Sequence, residues 1–129
     1  MSEITRAVVI VGVVAFALGA TGLWVAYRAR RRRSSIGTES LRPWPAVVLF
    51  TSTDCDACDP VRSIVSSSAP GDVVREIVYQ GSADAFRSAG VGRVPSLVVI
   101  DGQGRAVGVH EGQVTSGQIE KALRRAGLR

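Results

Sequence analysis

The sequence predicts an α/β fold, a central mixed sheet of about four strands flanked by helices, preceded by one transmembrane helix. Three observations lead there. Residues 7–27 contain no charged side chain. Beyond residue 45, short apolar runs of strand length alternate with segments of helical periodicity. Two cysteines, Cys55 and Cys58, follow directly on the first of those runs. A chain of 129 residues has room for one compact domain beside the N-terminal segment, which excludes a second enzyme domain.

Residues 1–6 read as a short flank and residues 7–27 as the span. A helix rising about 1.5 Å per residue covers roughly 30 Å over that run, the thickness of a bilayer's hydrocarbon core. Gly12, Gly19 and Gly22 would weaken a soluble helix but are common in lipid, and Trp24 and Tyr27 stand where an interfacial aromatic anchor belongs. Ala15-Phe16-Ala17 superficially resembles a signal-peptide cleavage site. The segment before the apolar run is short and nearly neutral, however, with Glu3 close to Arg6, which favours an uncleaved anchor.

Arginine distribution sets the expected orientation. Arg6 alone precedes the span, whereas Arg28, Arg30, Arg31, Arg32 and Arg33 follow it, so the positive-inside rule places the soluble domain in the cytoplasm. The extracytoplasmic arrangement is the alternative. The same run suits an anionic lipid surface, each basic residue contributing about 1 kcal/mol there. The formal charge of +5 comes from this region, because acidic and basic residues balance from Pro43 onward. With no basic face obvious in the sequence of the folded part, nucleic acid is not an expected partner.

Residues 28–45 form the expected Arg-rich juxtamembrane linker, its second part rich in Ser, Gly and Pro and free of periodicity. The domain proper is expected over residues 46–129. Residues 46–51 are a continuous apolar run of strand length, and Ser52-Thr53-Asp54 suits a turn and helix cap, so a helix is expected to start near Cys55. Val61, Ile64 and Val65 carry that helix until the run from Ser66 to Gly71 stops it. Residues 73–79 supply a second strand, residues 82–89 a short helix, and residues 96–100 a third strand. A tight turn over residues 101–104 leads to an antiparallel fourth strand over 105–110. Residues 115–125 close as an amphipathic helix with Ile119, Ala122 and Leu123 on one side and Thr115 or Ser116 as its cap.

The strand Val47-Val48-Leu49-Phe50-Thr51, the turn, and Cys55-Asp56-Ala57-Cys58 resemble the strand, turn and C-x-x-C of the thioredoxin family. Val91-Gly92-Arg93-Val94-Pro95-Ser96 resembles its cis-proline loop. The resemblance extends over residues 46–126. It implies a thiol–disulfide oxidoreductase without a bound cofactor, in which Cys55 is the nucleophile and Cys58 resolves the mixed disulfide. It also implies that Pro95 is cis and that the Val94 backbone contacts an extended substrate segment. Elementary chemistry agrees for Cys55: at a helix N-terminus the free N–H groups and macrodipole favour the thiolate, which is the attacking species.

Departures from the family pattern shape the expectation. Asp54, Asp56 and Asp59 surround the pair and oppose ionisation of Cys55, so a strongly oxidising couple is not expected. The family's buried acid falls here on Leu49. Glu76 reads as a solvent-facing strand charge, and His110, the single histidine, as a packed or exposed neutral residue. Two thiols without further ligands make a poor metal site. Expected partners are protein thiols or disulfides, among them an integral membrane redox protein, together with the lipid bilayer. The alternative function is a non-catalytic thioredoxin-fold binding or scaffold protein at the membrane.

Overall fold

The computed structural model describes residues 2–129, apart from the side chains of Arg32 and Ser34; Met1 of the expected flank lies outside the described residues. The chain forms two compact units, Met1–Arg32 and Arg33–Arg129. In the first, helix α1 runs from Glu3 to Ser34, extending past both ends of the expected span and continuing through the arginine run. Its stretch Glu3–Arg31 is long and apolar enough to cross a membrane. Thr21, the hydroxyl residue within the apolar run, turns its Oγ1 back to donate to Ala17 O at 2.7 Å, so it adds no unsatisfied polar group. Arg28 lies 4.9 Å from the centroid of the Trp24 ring.

The second unit is built on a four-stranded sheet: β1 (Ala46–Thr51), β2 (Val74–Val78), β3 (Ser96–Ile100) and β4 (Ala106–Glu111) in the order β2-β1-β3-β4. Between them lie α2 (Cys58–Ser68) and α3 (Ala83–Ala89), and α4 (Ser116–Arg125) ends the domain. Strand β2 runs parallel to β1, while β3 is antiparallel to both β1 and β4. The α2 crossover makes the parallel pairing possible, and the tight turn at residues 101–104 makes the antiparallel one. This is the mixed sheet that the sequence predicts.

Both central strands are buried throughout, which is why they read as continuous apolar runs. Their alternate residues feed two cores. Val47, Leu49, Leu97 and Val99 pack with Val61 and Val65 of α2 and with Ile119 and Leu123 of α4. Ala46, Val48, Phe50, Val98 and Ile100 pack on the opposite face with Phe86 and Ala89 of α3. Phe50 meets Phe86 edge-on, with centroids 4.9 Å apart. Thr115 caps α4 with a complete capping box: its hydroxyl accepts from Gln118 N, and the Gln118 side chain accepts from Thr115 N.

Two differences from the sequence reading have clear causes. Residues 34–45 do not hang free of the domain. A single 3-10 turn, Glu39–Leu41, places Leu41 in the α3-side core at 1 % exposure. Trp44 Nε1 donates to Thr38 O at 3.0 Å, and Thr38 Oγ1 donates to Gly104 O at 2.6 Å. The Trp44 ring lies against Gly104, whose φ of +81° already calls for glycine and where a Cβ would run into the indole. From β2, Arg75 donates to the carbonyls of Leu41, Arg42 and Pro43. The segment is therefore an extra layer over the sheet edge, held by partners far along the chain.

Helix α2 starts at Cys58 rather than near Cys55. A helix beginning at Cys55 would put Pro60 in its interior, where its ring collides with the Asp56 carbonyl and its missing N–H leaves that carbonyl unpaired. Starting at Cys58 moves Pro60 into the first turn, where no N–H is required. The residues before it close a turn in which Cys58 N donates to Cys55 O at 3.2 Å.

Candidate active site

Strand β1 delivers the chain to the C-terminal edge of the sheet, and the pair follows within a few residues. Cys55 and Cys58 are joined by a disulfide, with their Cα atoms 5.5 Å apart. The two sulfurs are unequal in access. Cys58, the first residue of α2, is fully buried, whereas Cys55 is partly exposed in the loop before it. The loop is braced from the end of β2: Gln80 Oε1 accepts from Thr53 N at 3.1 Å, and Gln80 Nε2 donates to Ser52 Oγ at 3.1 Å.

The Val94–Pro95 peptide is cis and leads into β3. Pro95 is buried and Val94 half-buried. Contacts after β4 tie this loop to the cysteine loop: Gly112 N donates to Pro95 O at 2.8 Å, and the next residue, Gln113, donates from Nε2 to Ala57 O at 3.3 Å. Ala57 lies between the two cysteines, so Gly112 and Gln113 bridge the loops that hold Cys55, Cys58, Val94 and Pro95. Beside them opens a cleft of about 360 Å³ lined by Ser52, Tyr79, Phe86, Val91, Arg93 and Val94. Its walls are mainly apolar and aromatic, with Tyr79 edge-on to Phe86 at 5.3 Å.

Of the three aspartates around the pair, Asp59 is the one offset by a cation among the described residues. Asp59 is ion-paired with Arg62 one turn further along α2. Asp54 is hydrogen-bonded to the Ser52 hydroxyl, and that bond, followed by one to its own backbone N–H, holds its carboxyl below the usual range. Asp56 is exposed.

Glu76 is exposed on β2, as the sequence implies, but it is not a free charge. It stands opposite Leu49 in the parallel register and turns to the α2 side of the sheet. There it accepts from Arg62 at 2.7 Å and from the buried Thr51 hydroxyl at 2.7 Å. The Arg62 bond is the main reason its carboxyl is held below the ordinary value. Arg62 in turn is pushed above its usual range, first by Glu76 and then by Asp59. This clasp joins the start of α2 to β2. Leu49, at the position of the family's buried acid, is 2 % exposed among the aliphatic side chains of α2.

Strand order, the α2 crossover and the cysteine pair at the start of α2 together decide the architecture. The domain has a thioredoxin-like fold. A thio-disulfide isomerase from Thermus thermophilus is similar over 68 % of this chain and 82 % of its own, at 16 % identity and a TM-score of 0.50. A malarial protein aligns over 63 % of this chain and 94 % of its own, at 13 % identity and a TM-score of 0.49. StoA from Bacillus subtilis aligns over 64 % and 85 %, at 10 % identity and a TM-score of 0.45. At such identities the likeness is one of fold. No family model and no curated protein sequence matches the chain.

A close cysteine pair in a thioredoxin-like domain is consistent with thiol–disulfide oxidoreductase activity. Sequence reasoning missed Gln80 and Gln113, which brace the loops, and Arg62, which offsets Asp59. Gln80 and Gln113 are separated from Thr53 and Ala57 by long stretches of chain, whereas the Asp59–Arg62 pair, three residues apart on α2, carried a local signal as a helix-face ion pair. A glutamine carries no local signal for such contacts.

Proposed function

We propose that the chain is a membrane-tethered dithiol reductant of protein disulfides. The observation that carries this reading is the unequal exposure of the bonded pair at the start of α2: Cys58 sealed, Cys55 partly open. In the reduced protein, the Cys55 thiolate attacks one sulfur of a partner's disulfide and expels the other as a thiolate, leaving a mixed disulfide. The Cys58 thiolate then attacks the Cys55 sulfur and expels the partner's second thiolate. Both partner thiolates take protons from solvent. Two electrons have passed, the partner is a dithiol, and the Cys55–Cys58 bond has formed. A thiol-class reductant completes the cycle.

Val94, which lines the cleft, and Pro95 after it would offer an extended partner segment a backbone edge to pair with. The apolar stretch of α1 anchors the domain, and the arginines after it favour the cytoplasmic side, where the thiol pool is reducing and a reductant's role is natural. An integral membrane thiol protein is within reach of such an anchored domain.

Trapping tests the cysteine roles. In Cys58→Ser the mixed disulfide cannot be resolved, so partner proteins should remain attached through Cys55 and be released by dithiothreitol on a non-reducing gel. Cys55→Ser should trap nothing, and either substitution should lower disulfide reduction at least about 100-fold. Wild-type protein that fails to reduce any disulfide, with no adduct in Cys58→Ser, would favour the scaffold reading instead.

A further inference from the structure

Away from the cysteines, a cavity of about 260 Å³ opens on the α4 side of β4. Arg33, Lys121 and Arg125 line it with His110 and Gln118, and Gly108 leaves its floor without a side chain. Arg33 and His110 are half-buried, while Lys121, Arg125 and Gln118 stand exposed around the same concavity. Among the described residues no carboxylate pairs with Arg33, Lys121 or Arg125, and the nearby Glu120 is engaged by Arg129 at 3.2 Å. On the neighbouring strand His110 stands opposite Leu97, so β3 brings no acid to it.

The cations are close enough to perturb one another. Burial and then the charge of Arg125 hold Arg33 below its ordinary value. Burial, then Arg33 and Arg125, does the same to His110. Three cations that share a partly enclosed space without an acid repel each other until an anion joins them. The donors suit a tetrahedral oxyanion: two guanidinium forks, one ammonium, and the amide nitrogen of Gln118, whose Oε1 is already used by Thr115 N.

We propose that this cavity binds the phosphate group of an anionic ligand, at a site separate from the cysteine pair. Arg33 follows the apolar stretch of α1 by two residues, which makes an anionic lipid headgroup one source of that phosphate. A soluble phosphorylated molecule is the other.

The sole histidine gives a single-residue reporter. The full chain, carrying no histidine tag, is held in neutral maltoside micelles, and the His110 imidazole is followed by NMR while inorganic phosphate replaces chloride at constant ionic strength. A saturable shift, with the His110 pKa rising by about one unit, is expected because a bound dianion favours the imidazolium. The response should vanish in Lys121→Gln/Arg125→Gln, with unchanged Trp44 emission in a Trp24→Phe background showing that the fold persists. A second arm uses nanodiscs of phosphatidylcholine with and without phosphatidylglycerol. A response to phosphate alone assigns the site to a soluble ligand, and a response to phosphatidylglycerol assigns it to lipid. No response in either arm, or a response that survives the double substitution, overturns the proposal.

Discussion

Leu41→Ala asks whether residues 34–45 belong to the folded unit. Leu41 is 1 % exposed and packs into the core that holds Val48, Phe86, Val98 and Ile100. Truncating a leucine so placed removes the transfer energy of the lost methyl groups and leaves a cavity, at a cost of about 3 kcal/mol. For a unit of about a hundred residues, an unfolding entropy of about 2 cal/mol/K per residue turns that cost into a fall in melting temperature of roughly 15 °C. Trp44 is the natural reporter, since its ring lies against Gly104 and its indole N–H is bonded to Thr38 O. With Trp24 replaced by Phe, thermal unfolding of the full chain in neutral detergent can be followed by Trp44 emission alone. Ser40→Ala, at an exposed neighbour, serves as the control. A fall of less than about 3 °C in Leu41→Ala, equal to that of the control, would refute the packing argument and return the segment to the status of a linker.

Two further outcomes are expected. Glu76 has its folded-state pKa below the unfolded value of 4.5, so its ionised form stabilises the domain above that pH, and this contribution is lost as pH falls through the folded pKa. Glu76→Gln should cost about 1 kcal/mol at pH 7 and lose less stability than wild type between pH 7 and pH 3, as read from urea midpoints; identical pH profiles would remove the clasp from the account. A membrane-impermeant thiol reagent applied to intact cells after mild reduction should label Cys55 only once the cells are lysed. Labelling before lysis would place the domain outside the cytoplasm and make envelope disulfide chemistry the leading reading.

Much of the architecture was legible in the residues because its signals are local. Continuous apolar runs mark β1 and β3, which are covered on both faces, and helical spacing of Val61 and Val65 marks the face that α2 buries. Thr115 followed three residues later by Gln118 is a capping box visible in the sequence. The start of α2 was the exception: Ser52-Thr53-Asp54 reads as a cap that puts it near Cys55, whereas Pro60 holds it back to Cys58. The cysteine pair and the Val-Pro before a hairpin were visible for the same reason: the chemistry sits in short contiguous stretches.

What only the tertiary structure decided depends on residues that meet across the sheet. Leu41 reads as a linker leucine until Phe86 and Val98 surround it, and Glu76 reads as an unpaired surface charge until the parallel register brings it to Arg62 and Thr51. Gln113 acquires a place beside the cysteine loop only because the end of β4 is carried back to Ala57. The basic cavity likewise gathers Arg33, His110 and Arg125 from three elements, within a chain whose charges balance from Pro43 onward. Periodicity and turn chemistry act over a few residues and so can be read from sequence. Burial, ion pairing and charge crowding act through space, and the order and register of the strands determine which distant residues they join.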